Sequence, residues 1–341
     1  MEQLLNACNK AQEALQQYFW QDDVQFYAHH YPPRQEEPFV YWWHAHSTDA
    51  LLDGYIRTRD PKYLERIRKE LTGTFRKNND TFLHNWYDDM EWFALALLRL
   101  WDVTGDDRCR EQTWMIWEDV KTAWNENMGG GMAWQKQQLD YKNTPANAPA
   151  AILALRLYQR FHREEDLEWG KRIFTWNLQN LVDPDTGFVW DGINRLGDGK
   201  IDYAWEFTYC QGVFMQAALE LYQITGEKEY LDLAVRTARE AKRRLSDAHG
   251  GIIPYEGPDD CGLFRGIFFR YSFELLKQCP ELTDIRAMIL EHAHMVAECG
   301  MNGLGLIGGD WTHPEAGTVD LAQHLSGIMV LEMALKCQEE V

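Results

Sequence analysis

Residues 92–107 read WFALALLRLWDVTGDD, an apolar run that ends in a short polar turn. A helix that is apolar on every face is buried, whereas a segment such as residues 63–70, YLERIRKE, is typical of an amphipathic outer helix. This order of inner helix, short turn and outer helix recurs along the chain. Each turn joins breaker or polar residues to acids suited to a helix start, and the turns lie at residues 59–64, 104–107, 162–167, 225–231 and 279–282. The chain is therefore predicted to consist of helix pairs.

Helical periodicity predicts twelve helices, near residues 2–20, 45–58, 61–77, 86–103, 107–126, 146–161, 164–181, 203–225, 228–245, 264–277, 281–299 and 319–337. The longer outer-to-inner connections each carry an aromatic residue, at positions 43, 86, 134, 190, 255 and 311. A repeat of roughly 45–65 residues favours an all-α fold, a closed (α/α)6 barrel forming a single domain over residues 1–341. An open helical solenoid is the alternative. In a closed barrel the long connections share one rim, where we expect the functional site.

Aromatic residues are abundant in the composition, with 15 Trp, 15 Tyr and 15 Phe. Some of them fill the core, but this is more Trp than a core requires. Indole rings in a cleft suit sugars, which present apolar C–H faces, so we expect an oligosaccharide or polysaccharide partner. The net charge of −19 would repel nucleic acid and anionic membranes, and no apolar stretch approaches the length of a membrane span. We therefore expect neither nucleic acid nor membrane as a partner.

The sequence predicts no cofactor and no metal. His44 and His46, like His292 and His294, are two residues apart, so on a helix each pair would point to different faces. Residues 303–308 match the G-x-G-x-x-G pattern of dinucleotide-binding proteins, but no strand–helix frame surrounds them.

The cysteine pattern indicates a reducing compartment. Seven cysteines are scattered along the chain without a C-x-x-C pair, which is typical of free thiols. The first twenty residues lack the basic and apolar regions of a signal peptide. We expect a cytoplasmic location for the chain as written, and a secreted one if a leader was removed.

The sharpest chemical feature is residues 85–92, NWYDDMEW, where Asp88 and Asp89 fall between a predicted rim loop and a buried helix. Glycoside cleavage needs one carboxylic acid to protonate the leaving oxygen and a second carboxylate as nucleophile or base. Two close carboxylates cannot both ionise cheaply, so one is expected to keep its proton to higher pH. The alternative is structural: Asp88 caps the helix and Glu91 completes a capping box.

Three further motifs supply candidate binding residues, at residues 141–149, 207–212 and 259–268. Their amides and hydroxyls can bond sugar hydroxyls, or can simply satisfy loops and neighbouring helices. Arg265 could neutralise an acid in the cleft or bridge two loops. In the first motif, the structural alternative is that Thr144 caps a helix whose first residue is Pro145. With the rim aromatics, the predicted substrate-binding residues are Trp43, Tyr87, Trp134, Asn143, Thr144, Asn147, Trp190, Tyr209, Gln211, Tyr255, Asp260, Arg265 and Trp311.

Residues 87–92, 142–148, 208–212 and 264–268 together resemble glycoside hydrolase family 76, a family of α-1,6-mannanases. The resemblance runs in order over nearly the whole chain, and the double aspartate after a tyrosine is its most specific part. It implies a retaining endo-α-1,6-mannanase on an (α/α)6 barrel, acting on α-mannosides with Asp88 as nucleophile and Asp89 as general acid/base. The family usually has Asn in place of Cys210 and often Lys in place of Arg265.

Two other functions compete with hydrolysis. A sugar epimerase of the N-acylglucosamine 2-epimerase type would use the same barrel and would need histidines as proton shuttles, for which His249 and His313 are the candidates. A non-catalytic carbohydrate-binding toroid would keep the aromatic rim and tolerate loss of the paired aspartates.

Overall fold

The computed structural model describes residues 2–339, which contain twelve α-helices and seven short strands. The predicted all-α fold class is confirmed. The chain divides into two compact units: the first runs up to Thr81 and resumes at Leu245, and the second covers Phe82–Arg244. The single-domain expectation stays a prediction.

The first unit holds six helices: α1 (Glu2–Ala14), α2 (Tyr41–Thr58), α3 (Pro61–Lys77), α10 (Cys261–Gln278), α11 (Thr283–Met295) and α12 (Leu321–Glu339). Helices α2, α10 and α12 are buried along most of their length, whereas α1, α3 and α11 are buried on one face. Two antiparallel strand pairs join its connections: β1 (Trp20–Gln21) with β2 (Phe26–Tyr27), and β3 (His30–Tyr31) with β7 (Val319–Asp320).

The second unit holds the other six helices: α4 (Tyr87–Thr104), α5 (Asp107–Val120), α6 (Thr144–Phe161), α7 (Glu164–Leu181), α8 (Thr208–Thr225) and α9 (Lys228–Ala241). Here α4, α6 and α8 are the buried helices, and each packs against the amphipathic helix that follows it. A three-stranded antiparallel sheet lies in its connections, formed by β4 (Ala133–Gln135), β5 (Gln138–Asn143) and β6 (Gly192–Ile193).

The short turns between paired helices form as the sequence predicts. Helix α4 ends where Gly105 adopts a left-handed conformation, with φ of 69°, and its N–H bonds to Trp101 one turn back. Asp106 then caps α5 by accepting a hydrogen bond from the Arg108 N–H at 3.1 Å. Asp60 caps α3 in the same way. The chain therefore reverses within two or three residues, which sets consecutive helices side by side.

Several helix boundaries differ from those predicted, and two of the differences matter for the site. Helix α2 begins at Tyr41 rather than near residue 45, so Trp42 and Trp43 lie on the helix. Helix α8 begins at Thr208 rather than near residue 203, because Phe207 is extended, with φ of −97° and ψ of 141°. Among residues 2–339, no helix combines the length and the apolar character needed to cross a membrane.

Candidate active site

The paired aspartates lie in the first turn of α4, at the point where an extended segment enters a buried helix. Trp86 occupies the N-cap position with extended backbone, and the helix begins at Tyr87. The Glu91 side chain is fully buried. The capping-box alternative is therefore wrong: Asp88 is not the N-cap, and Glu91 points into the protein interior rather than back to the helix end.

The Asp88 carboxylate accepts hydrogen bonds from two N–H groups. Its Oδ1 accepts from the Asp89 backbone at 3.0 Å, and its Oδ2 accepts from the Trp134 indole Nε1 at 3.1 Å. Trp134 belongs to β4, and its neighbour Gln135 forms an antiparallel bridge with Trp86, directly before α4. The strand pairing that positions the Trp134 indole thus lies next to Asp88. The indole N–H therefore fixes the orientation of the Asp88 side chain.

Asp89 lies beside a histidine. Its Oδ2 lies 3.2 Å from Nδ1 of His84, and its side chain is 16% exposed. Burial, together with the nearby charge of Lys136, lowers the pKa of His84 to about 4. His84 is therefore neutral at neutral pH, so Asp89 has a polar neighbour without being locked into an ion pair with it.

A third carboxyl group lies on the same helical turn. Burial raises the pKa of Glu91 well above its usual range, and the charges of Asp88 and Asp89 raise it further. Both effects favour the protonated, uncharged form of Glu91. Three acidic residues thus share one turn of α4, and the environment of the innermost one disfavours its negative charge.

A separate carboxylate, Asp191, forms the centre of a second cluster in this unit. Its Oδ2 accepts from the Tyr141 hydroxyl at 2.9 Å, and its Oδ1 accepts from the Tyr209 hydroxyl at 3.1 Å and the Cys210 thiol at 3.6 Å. The pairing of β5 with β6 creates this cluster, because Asp191 directly precedes β6 and Tyr141 lies in β5. Burial raises the pKa of Asp191 to about 6, against the opposing effect of its three donors.

The two carboxylate clusters adjoin each other. The Trp134 ring, which donates to Asp88, packs edge-on against Tyr141 with centroids 5.6 Å apart. Burial chiefly raises the pKa of Tyr209, and the charges of both Asp191 and Asp88 contribute. The sequence analysis missed Asp191, although it directly follows the predicted aromatic Trp190; an acid beside a predicted rim aromatic was the available signal.

Asn143 and Thr144 are buried where α6 begins, and both bond to the backbone. Asn143 caps the helix by accepting from the Ala146 N–H at 3.2 Å. The sequence analysis gave Thr144 as the possible cap, but the cap is Asn143, one position earlier. The Thr144 hydroxyl instead donates to the Trp190 carbonyl at 2.7 Å and accepts from Asn177. These contacts hold the connection before β6 in place.

Asn147 and Gln211 use their amides in the same way. Asn147 accepts from the Met132 N–H at 2.8 Å and donates to the Met132 carbonyl at 3.1 Å. Gln211 makes the corresponding pair of bonds with Val189, at 2.9 and 2.6 Å. Both amides therefore support the loops that carry Trp134 and Asp191. The sequence analysis gave this role as the alternative to sugar binding.

The remaining predicted residues of this unit are aromatic. Tyr87 is buried and its hydroxyl lies 3.1 Å from the Thr122 hydroxyl. Trp190 is also buried, and its ring meets that of the exposed Tyr203 edge-on, with centroids 4.9 Å apart. Aromatic rings thus line the connection around Asp191 from the interior to the surface.

In the first unit, the predicted residues Trp43 and Asp260 form a cluster of their own. The indole N–H groups of Trp42 and Trp43 donate to the same oxygen of Asp260, at 2.9 and 2.8 Å. Burial raises the pKa of Asp260, and the two indoles oppose that effect. In the same unit the Tyr255 hydroxyl accepts from the Gln323 amide at 2.6 Å.

Arg265 and Trp311 are buried together and join two connections of the first unit. The guanidinium lies 3.8 Å from the centre of the Trp311 ring and donates to the backbone carbonyls of Ile253 and Gly309. Burial lowers the pKa of Arg265 to about 10, so it remains charged at neutral pH. This is the loop-bridging arrangement that the sequence analysis offered as one of two interpretations.

The histidines required by the epimerase alternative are on the surface. His249 is exposed, and the side chain of His313 is 80% exposed beside Asp310. Within residues 2–339, no group of three or more His, Cys, Asp or Glu side chains is placed to hold a metal ion.

Comparison with known proteins assigns the class that this fold and site define, the helical-barrel glycoside hydrolases. Residues 3–340 match the sequence model of glycosyl hydrolase family 76, and the chain belongs to this family. The predicted (α/α)6 barrel is likewise confirmed as its fold class, because the family's solved structures are α/α barrels and this chain superposes on them.

Solved structures similar to this chain cover nearly all of it. The Lin0763 protein from Listeria innocua is 39% identical over 99% of this chain and 98% of its own, with a TM-score of 0.94. The α-1,6-mannanase GH76A from Salegentibacter sp. HEL1_6 is 36% identical over 97% and 99%, with a TM-score of 0.92. An inactive variant of that enzyme, with two adjacent aspartates replaced by alanine, has been solved in complex with α-1,6-mannotetrose.

Curated relatives are more distant. The mannan endo-1,6-alpha-mannosidase DCW1 of Candida glabrata is 23% identical over 261 residues, which are 71% of this chain and 58% of the relative. DCW1 of Saccharomyces cerevisiae is also 23% identical, over 71% of this chain and 59% of its own length. The chain therefore spans less than two thirds of the length of the curated relatives it matches.

Proposed function

We propose that this protein is a retaining endo-α-1,6-mannanase, which cleaves α-1,6-linked mannosides with Asp88 and Asp89. The observation that carries the proposal is the adjacent pair itself, half-buried in the first turn of α4 with Asp88 held by an indole N–H. The similar α-1,6-mannanase that is inactive without two adjacent aspartates supports both the residues and the substrate.

The two carboxyl groups have different surroundings, which support different roles. Asp88 is held by two N–H donors, so it is an oriented acceptor suited to attack the anomeric carbon. Asp89, beside the neutral His84, would give its proton to the glycosidic oxygen as that bond breaks. In the second step Asp89 would take a proton from water, and the water oxygen would displace Asp88 from the sugar.

The test replaces each acid without changing its size. We expect Asp88→Asn and Asp89→Asn to lower kcat on α-1,6-mannotetraose by about 10²–10⁴-fold or more, because each removes a group that acts in the transition state. The matched control is Asp107→Asn, also an acid in the first turn of a helix of this unit but 61% exposed, which should keep full activity.

Other outcomes point to other functions. If both single variants turn over substrate as fast as the natural protein, the proposal is wrong. Binding of mannotetraose by calorimetry without turnover would favour the carbohydrate-binding toroid. Deuterium exchange at a sugar carbon would favour the epimerase.

The cytoplasmic location stays a prediction. The seven cysteines are free thiols within the described residues, which agrees with a reducing compartment, and fractionation of the source cells would test it.

A further inference from the structure

An aromatic ladder, made of Trp205, Phe207 and Tyr209, leads into the second unit from its surface. Phe207 has an extended backbone directly before α8, and its ring contacts the aromatic rings two residues before it and two residues after it. The ring centroids of Trp205 and Phe207 are 5.7 Å apart, and those of Phe207 and Tyr209 are 6.1 Å apart. Exposure falls along the ladder: Trp205 is exposed, Phe207 is half-buried and Tyr209 is buried.

The inner end of the ladder belongs to the candidate active site. The Tyr209 hydroxyl donates to Asp191 at 3.1 Å, and the charge of Asp88 acts on the same hydroxyl. A continuous row of rings thus connects the neighbourhood of the paired aspartates to the protein surface.

The outer end of the ladder is held rigidly. The Arg195 guanidinium lies 4.2 Å from the centre of the Trp205 ring. Arg195 also donates to both carboxylate oxygens of Asp202, each at 3.0 Å. Asn194 ties the loop to β5 through the Asp140 carbonyl at 3.0 Å. The indole is therefore fixed in place before any ligand arrives, which lowers the entropic cost of binding one.

Three large apolar side chains are exposed on this segment. Leu196 is 73% exposed, Tyr203 is 61% exposed and Trp205 is 36% exposed, and they are three of the nine large hydrophobic side chains exposed within the described residues. Scattered exposed apolar residues need no explanation, but a cluster that polar contacts keep at the surface marks a binding site.

We propose that Trp205 and Tyr203 form a distal sugar platform. It binds a mannosyl unit that is several sugar units away, along the substrate, from the bond that is cleaved. The inference rests on the proposed mannanase function. Aromatic rings present flat apolar faces that suit the C–H face of a pyranose, and the adjacent Arg195 and Asp202 offer a donor and an acceptor for its hydroxyls.

A carbohydrate chain fits this surface better than a protein does. The exposed cluster comprises three side chains, whereas a stable protein interface involves about 20–30 residues on each side. The row of rings also connects this surface to the neighbourhood of the catalytic pair, so we expect a long substrate bound at the pair to reach the platform. The platform therefore favours long mannan chains over short oligosaccharides.

The test compares a long and a short substrate in the same variants. For Trp205→Ala and for Tyr203→Ala, we expect the ratio of kcat/KM on α-1,6-mannan to kcat/KM on α-1,6-mannotriose to fall by about tenfold, the order expected for one lost stacking ring. The two variants guard against a folding defect, because Tyr203 is the more exposed side chain. The matched control is Met115→Ala, which removes an exposed apolar side chain from the outer helix α5 and should leave the ratio unchanged.

The outcomes separate this inference from the function on which it rests. If the natural protein cleaves both substrates and neither variant changes the ratio, the platform is wrong and the mannanase stands. If the natural protein cleaves neither substrate, the mannanase proposal fails first. An equal loss on both substrates also contradicts the platform, since it indicates damage to the catalytic pair.

Discussion

Each unit of this protein has a pair of adjacent aspartates where a buried helix begins, and we propose a catalytic role for only one of them. Asp88 and Asp89 lie inside the first turn of α4, both half-buried. Asp259 and Asp260 precede α10, where Asp259 is exposed with a left-handed φ of 55° and Asp260 precedes the first turn. The same dipeptide thus gives one half-buried pair inside a helical turn and one pair that precedes the helix and differs in exposure.

The hydrogen-bond donors sharpen the contrast. Asp260 receives two indole N–H groups on one oxygen, whereas Asp88 receives one indole N–H and one backbone N–H on different oxygens, and Asp89 lies beside a neutral histidine. Two donors on one oxygen suit Asp260 to a holding role. A carboxyl group beside a neutral imidazole in the first turn of a helix is suited to moving a proton. Local environment, more than the motif, separates the two pairs.

Asp191, the carboxylate of the cluster that adjoins Asp88, lies in the same unit as the proposed catalytic pair. Of the two further substitutions considered, at Asp191 and at Asp260, we expect the larger effect at Asp191. Asp191→Asn should lower kcat/KM on α-1,6-mannotetraose by about 10²-fold, because it changes the charge and the donors beside Tyr209 and Asp88. The pKa of Asp191 is raised to about 6, so the natural protein gains this negative charge only as pH rises through about 6.

The pH dependence makes that role distinguishable from simple support. The natural protein should show a change in kcat/KM near pH 6 that Asp191→Asn lacks. The raised pKa also means that ionising Asp191 costs folding free energy, so its contribution to stability is full below pH 4 and is lost as pH rises through 6. If Asp191→Asn keeps the activity and the pH profile of the natural protein, Asp191 is not part of the active site.

A smaller effect is expected at Asp260. Asp260→Asn keeps an oxygen to accept from Trp42 and Trp43 but loses the negative charge. We expect KM for α-1,6-mannotetraose to rise by about three- to tenfold, with kcat nearly unchanged, as for a residue that binds substrate and transition state equally. A fall in kcat as large as that of Asp88→Asn would erase the distinction between the two pairs.

The sequence predicted the elements whose signals are local. Apolar and amphipathic runs placed all twelve helices, and the Gly105 and Asp106 turn signals matched the observed helix ends. The adjacency of Asp88 and Asp89 is also a local signal. The seven strands escaped prediction because most are two or three residues long, too short for an alternating pattern to be visible.

The parts that were missed depend on contacts between distant residues. Asp191 meets Tyr141 only because β5 pairs with β6, fifty positions apart in sequence. The start of α8 was placed too early because residues 203–207 are rich in apolar side chains, as a buried helix is, although residues 203–204 form a turn and Phe207 is extended. Tertiary pairing decided both features, and no short window of sequence contains it.

The most direct test of the central claim follows the stereochemistry of the first product. If Asp88 and Asp89 act as nucleophile and acid/base, hydrolysis proceeds through a covalent intermediate and inverts the anomeric carbon twice. Proton NMR of α-1,6-mannotetraose cleavage, recorded before mutarotation, should then show the α-anomer of the new reducing end first. Initial appearance of the β-anomer would mean a single displacement by water, and it would contradict the assigned roles of this pair.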